Sequence, residues 1–358
     1  RVSLGASPRK DRLVQCRFMT GLIILLVFLL AAGLTWYLSH PASKLRILDE
    51  PNERSLHLIP VPRTGGLAII ASAVLGSLAL AVVETPNPGL LVVISGVALI
   101  AVVSFIDDRS AVRAEYRLLI HAVAAVLVLA GGFLPKVLDL PGEPWLWPTW
   151  VSILFTLLFI IWMTNLYNFM DGMDGFAGGM TVFGFGAYAL LGWQASEPLF
   201  TTASLIVAAS AAGFLLFNFP PARIFMGDVG SSALGFLGAC FSLWAATEKI
   251  FPIWVGILVF SPFIVDATVT LLTRLLAGCT VWEAHRSHYY QRLVRSGWGH
   301  RKTVLLEYAL MIAAGLSANV AVGLSPRGQW ILIMVWCFVY LGLGLRVRDM
   351  GPGTTRGG

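Results

Sequence analysis

The feature that most constrains this chain is a recurrence of apolar runs about 17 to 25 residues long, the length a helix needs to cross about 30 Å of hydrocarbon. Eleven are predicted, at Phe18–Leu38, Gly66–Val83, Leu90–Ile106, Leu118–Leu134, Trp150–Leu166, Phe176–Trp193, Phe200–Phe217, Ser232–Ala246, Pro252–Leu276, Val304–Gly323 and Trp330–Leu345. A backbone in lipid must satisfy its own hydrogen bonds, so the runs read as helices and the fold class as all-α, polytopic and integral to a membrane. Apolar residues make up 57% and charged residues 12% of the 358. That balance excludes a soluble globule and a disordered chain alike. The ninth run is long and holds Pro262 and Asp266, so a bent or broken helix is predicted there. The 4 cysteines lie far apart without C-x-x-C spacing, and neither a zinc site nor a disulfide framework is indicated.

Basic residues set the orientation, because positive loops stay in the cytoplasm. Loops 41–65, 107–117, 167–175, 218–231 and 277–303, with the tail after 345, carry 16 Lys and Arg, against 3 in the opposite set. The first set is expected to be cytoplasmic. Arg9, Lys10, Arg12 and Arg17 run against this, since an odd number of spans ending inside begins outside. Met19 stands at the very start of the first run, so residues 1–18 are expected to be a basic tail foreign to the native product. A multi-span domain at 19–345 and a short cytoplasmic tail at 346–358 follow. The net charge of +6 fits cytoplasmic loops, membrane lipid or an anionic substrate, and no nucleic-acid partner is expected.

Every dense polar cluster falls in the cytoplasmic set. The clusters are Asp49–Gly66, the Asp107-Asp108-Arg109 step, Asn165–Gly179, Phe225–Ser232 and His285–Leu293. Adjacent carboxylates such as Asp107 and Asp108 repel, and at a membrane they persist most readily with a cation or a function, although a pair of solvated acids ending a helix is the plain alternative. Asp228, between Gly227 and Gly230-Ser231-Ser232, stands at a helix start suited to phosphate, or serves as an ordinary N-cap. Asn165, Asn168, Asp171 and Asp174 recur every three residues on one face, and their oxygens are of the kind that magnesium accepts; a polar glycine-rich turn is the alternative. His285 and His288 could pair on zinc, but no third soft ligand is near, and the flanking arginines favour phosphate. His121 and His300 read as packing or surface residues, and Asp266 as a buried polar partner.

The ordered motifs D-E-P-N-E-R-x-x-H-x-x-P-x-P-R-x-G-G, D-D-R, N-x-x-N-F-M-D-G-M-D-G, F-M-G-D-x-G-S and H-x-x-H resemble those of the polyprenyl-phosphate N-acetylhexosamine-1-phosphate transferases, glycosyltransferase family 4. The stretch H-R-S-H-Y-Y-Q-R-L looks most like the branch that initiates O-antigen synthesis. The resemblance implies an enzyme of the bacterial inner membrane with its active site on the cytoplasmic side. It would transfer a sugar-1-phosphate from a UDP-N-acetylated amino sugar, of the N-acetylfucosamine, N-acetylquinovosamine or N-acetylglucosamine type, to undecaprenyl phosphate, releasing UMP. It also implies Mg2+, with Mn2+ as the alternative. Carried over by motif, Asp228 and Asn168 would hold the metal. Asp107 would deprotonate or orient the lipid phosphate, with Asp108 supporting the geometry. Phe225 would stack on uracil and Asp174 would accept a hydrogen bond from its edge. Arg286 and His288 would meet phosphate or sugar, Arg117 the diphosphate, and Asn165 and Asp171 would line the substrate site. A one-step and a covalent two-step course stay open, as do monomer and homodimer.

Two departures bear on recognition. Arg54-Ser55 replaces the Arg-Lys of many relatives, so Arg54 or Arg63 must supply the phosphate contact. His288-Tyr289-Tyr290-Gln291 replaces a histidine run. Two rivals are weaker. A CDP-alcohol phosphatidyltransferase needs an arginine and further acids after Asp171-Gly172 that are missing. A membrane transporter of an anionic substrate would place its acids near mid-membrane rather than at one surface.

Overall fold

The structure is a computed structural model and describes residues 8–51, 59–84, 88–110, 112–279 and 286–350, with side chains from residue 18 onward. Its helices are α1 Pro8–Ser39, α2 Gly65–Val83, α3 Pro88–Ser110, α4 Ala114–Ala130, α5 Thr149–Met170, α6 Phe176–Gln194 and α7 Pro198–Asn218. They continue with α8 Gly227–Thr247, α9 Ile253–Val259, α10 Ser261–Leu276, α11 Tyr289–Leu293, α12 Gly299–Ala321 and α13 Pro326–Asp349. Two short antiparallel ribbons complete it: β1 Leu48–Asp49 with β2 Val61–Pro62, and β3 Val137–Asp139 with β4 Pro144–Leu146.

Among the described residues 9 helical stretches are long and apolar enough to cross a membrane, and α9 with α10 makes a tenth that is bent by 83°. The fourth predicted run is α4, of 17 residues. The protein is an all-α, multi-pass membrane protein. The expected break in the ninth run falls at Phe260, and Pro262, which has no N–H to donate, sits in the first turn of α10. Residues 8–18 continue into the first span as one helix, so the tail boundary drawn at residue 18 is not a break in the backbone.

Helix α8 forms the centre of the bundle. It packs against α2, α3 and α5, and 17 of its residues are buried. Glycine makes this closeness possible: a Cβ on Gly66 would collide with the Gly230 backbone, and one on Gly235 with the Met163 carbonyl. Around this centre Phe185, Tyr188, Phe200, Phe241, Phe251 and Phe260 pack in edge-to-face and tilted pairs. The outer faces carry Leu25, Leu29, Leu158, Leu216 and Phe338, all exposed, as a lipid-facing surface requires.

Candidate active site

Alternating helices bring several polar helix ends to one end of the bundle. The ends of α3 and α5 and the starts of α4 and α8 meet there through side-chain contacts, and the start of α2 joins them through its backbone. Backbone bonds fasten the first loop to the fourth: the Phe225 amide donates to the Pro62 carbonyl at 2.7 Å, Gly65 to Phe225 at 2.9 Å and Gly66 to Met226 at 2.7 Å. Gly227 closes the joint. Its φ of +72° lies in the left-handed region, and a Cβ there would strike the Arg63 carbonyl and approach the Asp108 carboxylate.

Four helices supply the acidic cluster. Asn168 on α5 donates through Nδ2 to Asp228 Oδ1 at 2.9 Å and to Ser231 Oγ at 3.0 Å. Arg117 on α4 places Nη1 at 2.8 Å from Asp107 Oδ2 and 3.6 Å from Asp228 Oδ2. Asp107 also accepts the Val112 amide at 2.6 Å. Asp108, with only 2% of its side chain exposed, lies 3.5 Å from Arg63 Nε, and Arg63 Nη2 reaches the Asp108 carbonyl at 2.5 Å. The structure thus brings together Asp107, Asp108, Asn168, Asp228, Arg63 and Arg117. Asp171, in the turn after α5, belongs with them electrostatically. Burial, followed by the charges of Asp228, Asp108 and Asp49, pushes its carboxyl well above the ordinary carboxylate range.

Oxygen donors crowded in this way fit a hard divalent cation. Among the described residues no three acids or histidines stand close enough to hold a metal by themselves. Magnesium needs only one or two protein carboxylates, completed by water and substrate phosphate, and Asp228 with Asn168 matches that demand.

Beside the cluster lies a cavity of about 440 Å³ lined by Val61, Asp174, Pro220, Ala222, Phe225 and His300, among others. Asp174 Oδ2 accepts the Ala222 amide at 3.0 Å, and its Oδ1 lies 3.0 Å from His300 Nδ1. The next residue, Gly175, is held on both sides: its amide donates to Asn218 Oδ1 at 2.9 Å, and its carbonyl accepts from Tyr308 at 2.7 Å. Phe225 and Asp174, which sequence reasoning pairs, share this cavity.

The other expected residues make contacts of their own or fall outside the described residues. His288 pairs with Asp266 of α10. It is 3% exposed, with Nδ1 at 3.1 Å from Asp266 Oδ1. Asp266 also accepts the amides of Tyr289 and Tyr290, each at 3.0 Å, and so anchors α11. Asn165 donates to the Ile161 carbonyl at 2.7 Å and lies 3.4 Å from His121 Nδ1, within the α4–α5 contact. Arg286 is half-buried just ahead of α11. Arg54 and His285 fall outside the described residues. Sequence reasoning missed Ser231, which shares Asn168 with Asp228, and Tyr290, whose hydroxyl stands where a Cβ on Gly172 would go. It also set His300 aside; the one signal for it was its place beside Arg301 and Lys302 at the start of α12.

This fold and site fit a membrane-embedded transferase, and the glycosyl transferase family 4 profile matches residues 90–246. The chain is 32% identical over 301 residues, 82% of each chain, to a probable undecaprenyl-phosphate N-acetylglucosaminyl 1-phosphate transferase of Bacillus subtilis. It is 30% identical, over 92% of its length and 91% of the relative's, to a decaprenyl-phosphate N-acetylglucosaminephosphotransferase of Mycobacterium leprae. It is 22% identical, over 90% of its length and 89% of the relative's, to an undecaprenyl-phosphate alpha-N-acetylglucosaminyl 1-phosphate transferase of Escherichia coli O157:H7. The chain belongs to glycosyl transferase family 4, within the polyprenyl-phosphate hexosamine-1-phosphate transferase superfamily.

Proposed function

We propose that this protein transfers the sugar-1-phosphate of a UDP-N-acetylhexosamine to undecaprenyl phosphate, yielding undecaprenyl-diphosphate-sugar and UMP, at the cytoplasmic face of the bacterial inner membrane. The observation that carries the reading is the meeting of Asp107, Asp108, Asn168 and Asp228 with Arg63 and Arg117 at one end of the bundle, next to the Asp174–Phe225 cavity. Phosphoryl transfer chiefly demands positioning and charge neutralisation, and this inventory supplies both.

Asp228 and Asn168 would hold Mg2+. When bound, the ion neutralises charge on the diphosphate and polarises the phosphorus under attack. The chain's own residues do the remaining work. Phe225 offers an aromatic face to the base, and Asp174 accepts from its ring N–H. Arg117 and Arg63 carry positive charge to the mouth of the cluster, where donor and acceptor phosphates must come together against acids that repel them. Asp107, fixed by the Val112 amide and Arg117, takes the proton of the acceptor phosphate or orients its oxygen toward the β-phosphorus; the uridylyl oxygen leaves as UMP.

N-acetylglucosamine, which the relatives' names carry, is the first donor sugar to test, and the step would open synthesis of a cell-envelope glycan such as O-antigen. The test is to incubate membranes containing the protein with Mg2+, undecaprenyl phosphate and separate UDP-N-acetylglucosamine, UDP-N-acetylquinovosamine and UDP-N-acetylfucosamine, reading UMP release and the lipid product. UMP and a lipid-linked sugar are expected with at least one donor. No UMP from any of them would sink the proposal.

A further inference from the structure

We infer that His300 and Arg301, at the start of α12, complete the nucleotide site: His300 positions Asp174 for selection of the base, and Arg301 binds nucleotide phosphate. The inference rests on the nucleotide reading of the cavity and adds two residues to it.

The chemistry begins with the His300–Asp174 pair. A carboxylate can only accept, so at 3.0 Å the His300 Nδ1 must carry the proton and donate to Oδ1. The Asp174 amide also lies 3.4 Å from the same nitrogen. A nitrogen already donating to a carboxylate has no lone pair for that amide, so the carboxylate contact prevails. With Ala222 donating to Oδ2 at 3.0 Å, each oxygen of Asp174 holds one fixed donor. The plane of the carboxylate is thereby set, and each oxygen keeps a further lone pair for a ligand. A group of this kind accepts from a base that presents a ring N–H, as uracil does, and repels cytosine, whose corresponding nitrogen is an acceptor.

Placement of His300 does not depend on this pair alone. Two turns further along α12, the Tyr308 hydroxyl donates to the Gly175 carbonyl at 2.7 Å, so the helix grips the residue next to Asp174 independently. The imidazole and the carboxylate, 19% and 13% exposed, are sheltered enough for their bond to hold against water yet open to the cavity. Arg301 lines the same cavity, and no carboxylate pairs with it among the described residues. A guanidinium free of acids beside a base pocket suits the phosphate that follows the base and ribose.

The experiment uses the detergent-solubilised full chain and measures binding of three probes: UMP, uridine and CMP. Wild-type protein is expected to bind UMP, and to prefer it to CMP. Absence of any UMP binding by the wild type would count against the nucleotide reading itself, and with it this inference. Given wild-type binding, His300→Ala should weaken UMP and uridine alike by about tenfold, the loss of one charge-assisted hydrogen bond, and narrow the preference for UMP over CMP. His300→Asn, whose side-chain N–H can replace Nδ1–H, should restore much of the loss. Arg301→Gln should weaken UMP several-fold and leave uridine unchanged. In turnover, His300→Ala should raise the KM for the UDP-sugar with little change in the KM for the acceptor lipid. If both variants bind all three nucleosides and nucleotides as the wild type does, the inference is wrong while the nucleotide reading stands. If His300→Ala and His300→Asn lose UDP-sugar and acceptor binding in parallel, His300 merely supports the fold and the inference is equally overturned.

Discussion

Asn168, in the last turn of α5, donates a 2.9 Å hydrogen bond to Asp228, in the first turn of α8, although 60 residues separate them. The contact joins the end of one membrane helix to the beginning of another, and the remaining acids collect around it. Its energetic importance is best read from the pair rather than from either residue. Asp228→Ala should reduce turnover by at least about a hundredfold, because charge developing on the diphosphate loses its principal counterpart. Asn168→Ala should cost about ten- to hundredfold, the range usual when a residue orienting a ligand is removed. UMP release measures both, with the thermal midpoint showing that the fold is kept; full activity of Asp228→Ala would remove it from the metal site.

Asp107 is expected to act on the acceptor rather than on the donor. Asp107→Asn keeps the shape and the bond from Val112 but gives up proton acceptance, so kcat should fall by about two to four orders of magnitude. UDP-sugar binding should be almost unchanged. A rate within tenfold of the wild type excludes the proton-accepting role.

Phe225→Ala should act on the nucleotide. Loss of a stacking face raises the KM for the UDP-sugar by about tenfold, with a smaller effect on kcat. Unaltered UDP-sugar affinity would take Phe225 out of the base site.

Asp171 makes stability depend on pH in a direction that can be stated. Its folded-state pKa lies well above the ordinary value of about 4. Between the two values the folded protein binds more protons than the unfolded chain, so the stabilisation is complete below about pH 4 and is lost as pH rises through the raised folded value. The metal-free protein should therefore show a falling thermal midpoint with rising pH, as this group removes at most about 1.4 kcal/mol of stability per pH unit. Mg2+ should flatten the fall by neutralising the acids beside Asp171, and Asp171→Asn should flatten it without Mg2+. A slope that neither change alters would place Asp171 outside the cluster.

The spans, the bend near Pro262 and the gathering of polar motifs at one end were legible because each depends on short-range chemistry. A run of apolar residues reports lipid contact wherever it stands, and a proline reports a missing donor. Asp174 and Phe225 could be paired through their motifs. The contact of His288 with Asp266 was hidden for a reason of the opposite kind: Asp266 lies 22 residues earlier inside the bent helix, and only packing brings the two together. Apart from its basic neighbours, nothing in the sequence set His300 apart from an ordinary surface histidine, because the carboxylate it meets is 126 positions away.

Hydropathy, loop charge and motif order determined by themselves that this is an all-α membrane protein whose polar residues gather at alternate turns. Tertiary structure alone decided which of those residues meet. Side chains on separate helices come within hydrogen-bonding reach only when packing sets the distance between helix axes, and here glycines at 66, 230 and 235 let α2, α5 and α8 approach closely enough for their polar ends to converge.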